Sequence, residues 1–174
     1  MDKKILFVDA ETDGLYGHFL SVAGILCDSF GNETDSFYHR VDIKKNGVTD
    51  PWVLENVIPV LSGGVIEDTP EDLLESFWQW YRACGEADVI ADVTFPVECR
   101  LFSECVLKDP DTRKFQGPYP LLDLSSMLYA KGMDPNADRR SLIDATNYQV
   151  HNALDDVRMS RDIWLKYIRN RRSL

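Results

Sequence analysis

The stretch Lys4-Ile5-Leu6-Phe7-Val8-Asp9-Ala10-Glu11-Thr12-Asp13-Gly14 decides how this chain folds and where its chemistry lies. Ile5 to Val8 is continuously apolar and rich in β-formers. Lys3-Lys4 precedes it and a glycine-containing turn follows, so a short buried strand is predicted. Side chains alternate along a strand, which sends Asp9 and Glu11 out on the same face of its end. Two carboxylates side by side at the margin of a core repel each other, and burial sharpens the repulsion. A shared positive charge resolves it, and a divalent metal ion is the natural candidate.

The whole chain sets the frame. Its 174 residues are expected to form one domain, 1–174, burying about 70% of the surface the unfolded chain exposes. An apolar fraction of 44% and a charged fraction of 28% suit a soluble globule. No apolar run is long enough for a membrane span, and Met1-Asp2-Lys3-Lys4 leads into the first strand without a secretory stretch. The expectation is therefore cytoplasmic, with no membrane. Cys27, Cys84, Cys99 and Cys105 form no C-x-x-C pair and read as free thiols. A net charge of -10 argues against coating long nucleic acid, but not against gripping a few terminal nucleotides through masked acids and a small basic patch. Arg158, Arg161, Lys166, Arg169, Arg171 and Arg172 are the main basic concentration, a pattern that also suits a helix C-terminus.

Phe19 to Asp28 and Glu33 to Val41 read as a hairpin around Ser29-Phe30-Gly31-Asn32. Asp50-Pro51 opens a short helix ending near Pro59. Thr69-Pro70-Glu71-Asp72 opens a longer one carrying Leu73, Leu74, Phe77, Trp78 and Tyr81 to Cys84. The ring-rich run Phe77 to Tyr81 cannot face one core entirely, so Trp80 is expected to stay exposed and to serve a possible homodimer interface. Asp88 to Asp92 is the next buried strand, followed by a helix over 97–107. Tyr119 to Leu124 is a fifth strand, followed by a short helix to Ala130. Helices are expected over 138–145 and 152–170.

The second informative segment is His151-Asn152-Ala153-Leu154-Asp155-Asp156-Val157. On the last helix Asp156 lies near the packing face marked by Ala153 and Ser160, whose small side chains leave room for a ligand or ion. Asp155 points elsewhere, and His151 can swing over the sheet edge from the helix start.

Together the two segments resemble the DEDDh 3'-5' exonucleases of the ribonuclease H-like group. Asp9-Ala10-Glu11-Thr12-Asp13-Gly14 is similar to that family's D-x-E-T-x-G motif, and His151 to Asp156 to its H-x-A-x-x-D motif. The resemblance covers nearly the whole chain. It implies an α/β three-layer fold with a five-stranded mixed sheet, first three strands antiparallel, flanked by helices. The family's middle motif, H-N-x-x-F-D, is altered here. In Ala91-Asp92-Val93-Thr94-Phe95-Pro96, Asp92 stands at the Asn position and Pro96 where the metal-binding Asp belongs. Asp92 is expected to supply the missing carboxylate, with Glu98 in reserve.

What the resemblance implies for function is metal-dependent 3'-5' hydrolysis of RNA or DNA ends, short or single-stranded, releasing nucleoside 5'-monophosphates. Two Mg²⁺ or Mn²⁺ ions about 3.5–4 Å apart would be held by Asp9, Glu11, Asp92 and Asp156. His151 would be the general base, its pKa of about 6.5 raised somewhat by the neighbouring acids. Glu11, Thr12, Gly14, Leu15, Tyr16 and His151 would meet the terminal nucleotide, with Leu15 or Tyr16 wedged against a base. Competing readings are an inactive nucleic-acid- or protein-binding module and a phosphoesterase acting on dinucleotides.

Overall fold

A computed structural model describes residues 3–169. Its centre is a mixed sheet of six strands, not five, in the order β4-β3-β2-β1-β5-β6. β1 (Lys4–Thr12), β2 (Phe19–Cys27) and β3 (Glu33–Val41) form an antiparallel meander. β5 (Ala87–Ala91) lies parallel to β1, and β6 (Leu121–Asp123) parallel to β5. The strand absent from the sequence reading is β4 (Val65–Glu67), parallel to β3 at the sheet edge. Three residues are too few to show an alternating pattern. β4 follows Gly63-Gly64, both at positive φ, and a Cβ on Gly64 would sit 2.8 Å from the Tyr38 carbonyl oxygen.

Helices fill both faces. α3 (Pro70–Cys84) starts as its residues dictate: Thr69 accepts the Asp72 N–H, Pro70 opens the first turn, and Gly85 closes the last at φ +74°. It buries Leu73, Leu74, Phe77, Trp78 and Tyr81 with α4 (Cys99–Leu107) against Leu6, Val8 and Ala10 of β1. The opposite face of β1, Ile5 and Phe7, packs on α6 (Leu124–Ala130) and α7 (Ala153–Tyr167). Strand parity therefore turns Asp9 and Glu11 toward α7. α1 (Ile43–Asn46), α2 (Pro51–Asn56) and α5 (Pro110–Arg113) are short connectors.

Three expectations change. Trp80 is half-buried, not exposed: it packs on the core, stacks at 5.5 Å on Phe37 and donates its indole N–H to Asp35 at 2.9 Å. The helix expected over 138–145 is a single tight turn, Arg139–Ser141. The Leu142 carbonyl that would have continued it is taken by Lys166 and the Tyr167 hydroxyl, at 2.7 and 2.9 Å. Arg158 and Arg161, read as part of a basic tail, are spent on Glu33, stitching α7 to the β2–β3 hairpin. Arg171 and Arg172, and the helix end at Asn170, lie outside the described residues. All four cysteines are free. Among the described residues, no helix is long and apolar enough to cross a membrane.

Gly24 in β2 is where the Trp80 ring meets the sheet, and a Cβ there would fall 2.5 Å from the indole. Gly24→Ala is expected to lower stability by about 1–3 kcal/mol, because an over-packed core side chain must leave its rotamer. In a Trp80→Leu background the same change is expected to cost less, measured by urea denaturation.

Candidate metal centre

The site lies where β1 ends. The β1–β2 register shifts by one residue there, with Leu20 of β2 as the extra residue, so β2 carries the bulge beside Glu11. Opposite it, Asn152 caps α7, and His151 just before the cap takes a left-handed backbone at φ +66°. That turn brings the His151 N–H onto Asp156 Oδ2 at 2.9 Å. As a result, one ligand atom each from Glu11, His151 and Asp156 lies within 4.8 Å of the others. Asp156 Oδ1, by contrast, is buried with no hydrogen-bond partner among the described residues. A buried carboxylate oxygen without a donor is costly, and a bound cation is the direct remedy.

More acid surrounds these three. Asp9 sits one strand period before Glu11, and its pKa is raised well above the usual carboxylate value by burial and then by Asp156, Glu98 and Glu11. Burial, followed by Asp156 and Glu98, lifts Glu11 to about 8. Burial likewise raises Asp156 to about 7. Glu98, 5% exposed, is the one charged side chain fully buried among the described residues, and burial lifts it to about 8. It enters from a single π-type turn, Thr94–Glu98, in which Phe95 is extended and the backbone turns sharply into α4. Among the described residues none of Asp9, Glu11, Glu98 and Asp156 forms an ion pair. The donor set is all oxygen apart from one imidazole, which fits Mg²⁺ or Mn²⁺.

Asp92, expected to be the fourth carboxylate, stands just past the end of β5 and is otherwise engaged. Arg139 Nε reaches both of its oxygens, at 2.8 and 2.9 Å. The same guanidinium donates to the Ala137 and Pro135 carbonyls and to the Ser125 hydroxyl, fastening the loop after α6 to the sheet. His151 departs from expectation in its proton affinity: burial and then the nearby Arg140 lower its pKa.

The expected substrate contacts separate into two kinds. Leu15 and Tyr16 are 61% and 69% exposed at the tip of the turn after β1. Thr12 is buried, its hydroxyl donating to the Gly14 carbonyl, so it shapes the turn from inside. Gly14 has φ +69° and packs against Asp50. One element escaped the sequence reading. Asp13 accepts the N–H groups of Thr49 and Asp50 at 2.8–3.0 Å, which plants α2 beside the site. Trp52 of α2 then meets the His151 ring edge-on, with centroids 5.0 Å apart. The only signal was the acid inside the first motif, and its partners lie 36 and 37 residues away.

No protein-family model matches the chain, and no curated protein matches it by sequence. Solved structures do match. Exonuclease I of E. coli with single-stranded DNA, in its zinc-bound form, aligns over 99% of this chain at TM-score 0.63 and 15% identity. The nuclease domain of 3'hExo, a DEDDh family member, bound to rAMP, aligns over 99% of this chain and 95% of its own at TM-score 0.53 and 14% identity. This chain has the fold of the DEDDh 3'-5' exonucleases. A 3'-exonuclease structure concerned with recognition of the histone mRNA stem-loop shares it, at TM-score 0.54 and 12% identity. The chain spans 41% of the length of the E. coli exonuclease I structure, which is also known metal-free. At these identities the likeness is one of fold. The two motifs of this chain, DEDDh-like in sequence, fall at the site just described.

A carboxyl group whose folded pKa is raised keeps its proton in the native state while the unfolded chain releases it. Stability is therefore lost as pH rises from the unfolded value, near 4, through the folded one. With Glu11 and Glu98 at about 8 and Asp156 at about 7, the metal-free protein is expected to lose stability steadily between about pH 5 and pH 8. Thermal melts in EDTA across that window check this, and saturating Mg²⁺ or Mn²⁺ should flatten or reverse the slope.

Proposed function

We propose that the protein is a metal-dependent 3'-5' exonuclease that releases nucleoside 5'-monophosphates from single-stranded or short RNA or DNA ends. The observation that carries this reading is the convergence of Glu11, His151 and Asp156 around an unpartnered buried oxygen, at the motif positions of a DEDDh-type fold. Glu11, Asp156 and Asp9 would hold the divalent cation. We assign the fourth carboxylate to Glu98, because it is buried among these acids without an ion pair, whereas Asp92 is paired with Arg139. Asp92 then acts as a strut for the loop that leads toward His151. Bound there, divalent ions supply an acidified water and charge neutralisation at the phosphoryl oxygens.

The chain's own side chains do the rest. The His151 ring, fixed against Trp52 and by the backbone bond to Asp156, accepts the proton of the attacking water. Its lowered pKa leaves it neutral and able to accept at neutral pH. Leu15 and Tyr16 offer an apolar and an aromatic face to the last base, a contact that any base satisfies. With a net charge of -10, the protein gains little from its overall field, which suits binding to a strand end over binding to a long duplex.

A 5'-labelled oligonucleotide of RNA or DNA, incubated with Mn²⁺ or with EDTA, tests the activity. Stepwise shortening from the 3' end with mononucleotide release is expected. Intact oligonucleotide that remains bound would indicate a binding module instead, and cleavage confined to dinucleotides would indicate a phosphoesterase.

Variants separate the two carboxylate assignments. Glu98→Gln is expected to cut the rate more than about 100-fold, beyond the usual effect of groups outside the ligand shell, and to raise the metal-free melting temperature. Asp92→Asn is expected to keep Mn²⁺ affinity and lose about 1–3 kcal/mol of stability, since it leaves a largely buried guanidinium without its counter-charge. His151→Ala should retain metal binding and lose about 10²–10⁴ in rate. The opposite ranking of Glu98→Gln and Asp92→Asn in Mn²⁺ titrations would return the fourth carboxylate to Asp92.

A further inference from the structure

The turn that carries Leu15 and Tyr16 is built to hold one shape. Gly17 lies so close under Asp13 that a Cβ would fall 1.9 Å from the Asp13 carbonyl oxygen. The Asp13 N–H donates to the His18 carbonyl at 3.0 Å and closes the turn. On one flank the Asp13 carboxylate fastens it to Thr49 and Asp50. The other flank rests on a single side chain, Arg100 in the first turn of α4.

Arg100 Nη1 donates to the Tyr16 carbonyl at 3.0 Å, and the guanidinium lies over the Phe19 ring with Cζ 4.6 Å from its centroid. Glu104, one turn along α4, sits 3.3 Å from the same nitrogen. Nε and Nη2 are buried and have no hydrogen-bond partner among the described residues. Unmet donors on a largely buried guanidinium are unfavourable, and an apolar side chain would fill the space without that penalty. A requirement for stability alone does not account for an arginine here. Its contact to the Tyr16 backbone does, because the orientation of that carbonyl sets where the exposed Leu15 and Tyr16 side chains point.

We propose that Arg100 is a positioning residue for substrate-end recognition, holding the Leu15–Tyr16 tip in the orientation that meets the terminal base. This rests on the exonuclease reading and deepens it. Arg100 lies two residues beyond Glu98, so the start of α4 sends a guanidinium to the recognition tip while the residue just before the helix sends a carboxylate into the acid cluster. Lysine cannot take over, having no plane to lie on Phe19 and no fixed fork to reach the carbonyl.

The test compares Arg100→Met and Arg100→Lys with wild type on a labelled single-stranded oligonucleotide, each also in a Leu15→Ala/Tyr16→Ala background. Hydrogen exchange of residues 13–18 is followed without substrate. Arg100→Met is expected to raise KM about tenfold, the scale of one lost base-stacking contact, and to leave kcat within about twofold. Arg100→Lys should not rescue it. In the tip-deleted background Arg100→Met should add nothing, and exchange over 13–18 should quicken in both Arg100 variants. An equal effect with and without the tip, a fall in kcat at constant KM, or unchanged exchange would overturn the proposal. Should wild type degrade no nucleic acid, the exonuclease reading fails on its own, and exchange over 13–18 still decides whether Arg100 holds the tip.

Discussion

Four carboxyl groups, Asp9, Glu11, Glu98 and Asp156, crowd one end of a buried sheet with no cation of their own among the described residues. Folding must bring them together against both mutual repulsion and the loss of water, and this raises the pKa of all four. A sequence under selection for stability alone would put apolar residues at several of these positions. The energetic burden is therefore read as stored affinity for a divalent cation, in the way that strain elsewhere is stored at functional sites.

The rest of the architecture serves that placement. Odd-numbered residues of β1 face α7, so the same alternation that buries Ile5 and Phe7 delivers Asp9 and Glu11 to the helix bearing Asp156. Local distortions then aim individual side chains: the left-handed backbone at His151 and the π-type turn that ends in Glu98. Each breaks the regular pattern within a few residues of the site, while α3, further away, is a regular helix throughout.

The legible parts of the sequence were those governed by local chemistry. The bounds of β3 and α3 follow from turn residues, the Thr69-Pro70 start and the Gly85 stop. The first and last motifs could be placed because strand parity and a helix start fix Glu11 and Asp156. β4 was too short to carry a pattern. Trp80 read as surplus because nothing local reveals that Gly24 leaves a space for its ring. Asp92 looked available until Arg139, 47 residues away, was seen to hold it. Arg100 and Trp52 gave no signal, since both are recruited through carbonyl and carboxylate partners far along the chain. Contacts of long sequence separation are where reading by pattern stops.

Calorimetric titration of the metal-free protein with Mn²⁺ near neutral pH, repeated in buffers of different ionisation enthalpy, tests the central claim most directly. If the buried acids are a cation site, Mn²⁺ should bind and release protons, because Glu11, Glu98 and Asp156 must give them up to act as ligands. Both the binding and the proton release should shrink in Asp156→Asn and Glu98→Gln. Absence of binding, or binding that releases no protons and ignores both substitutions, would contradict the account.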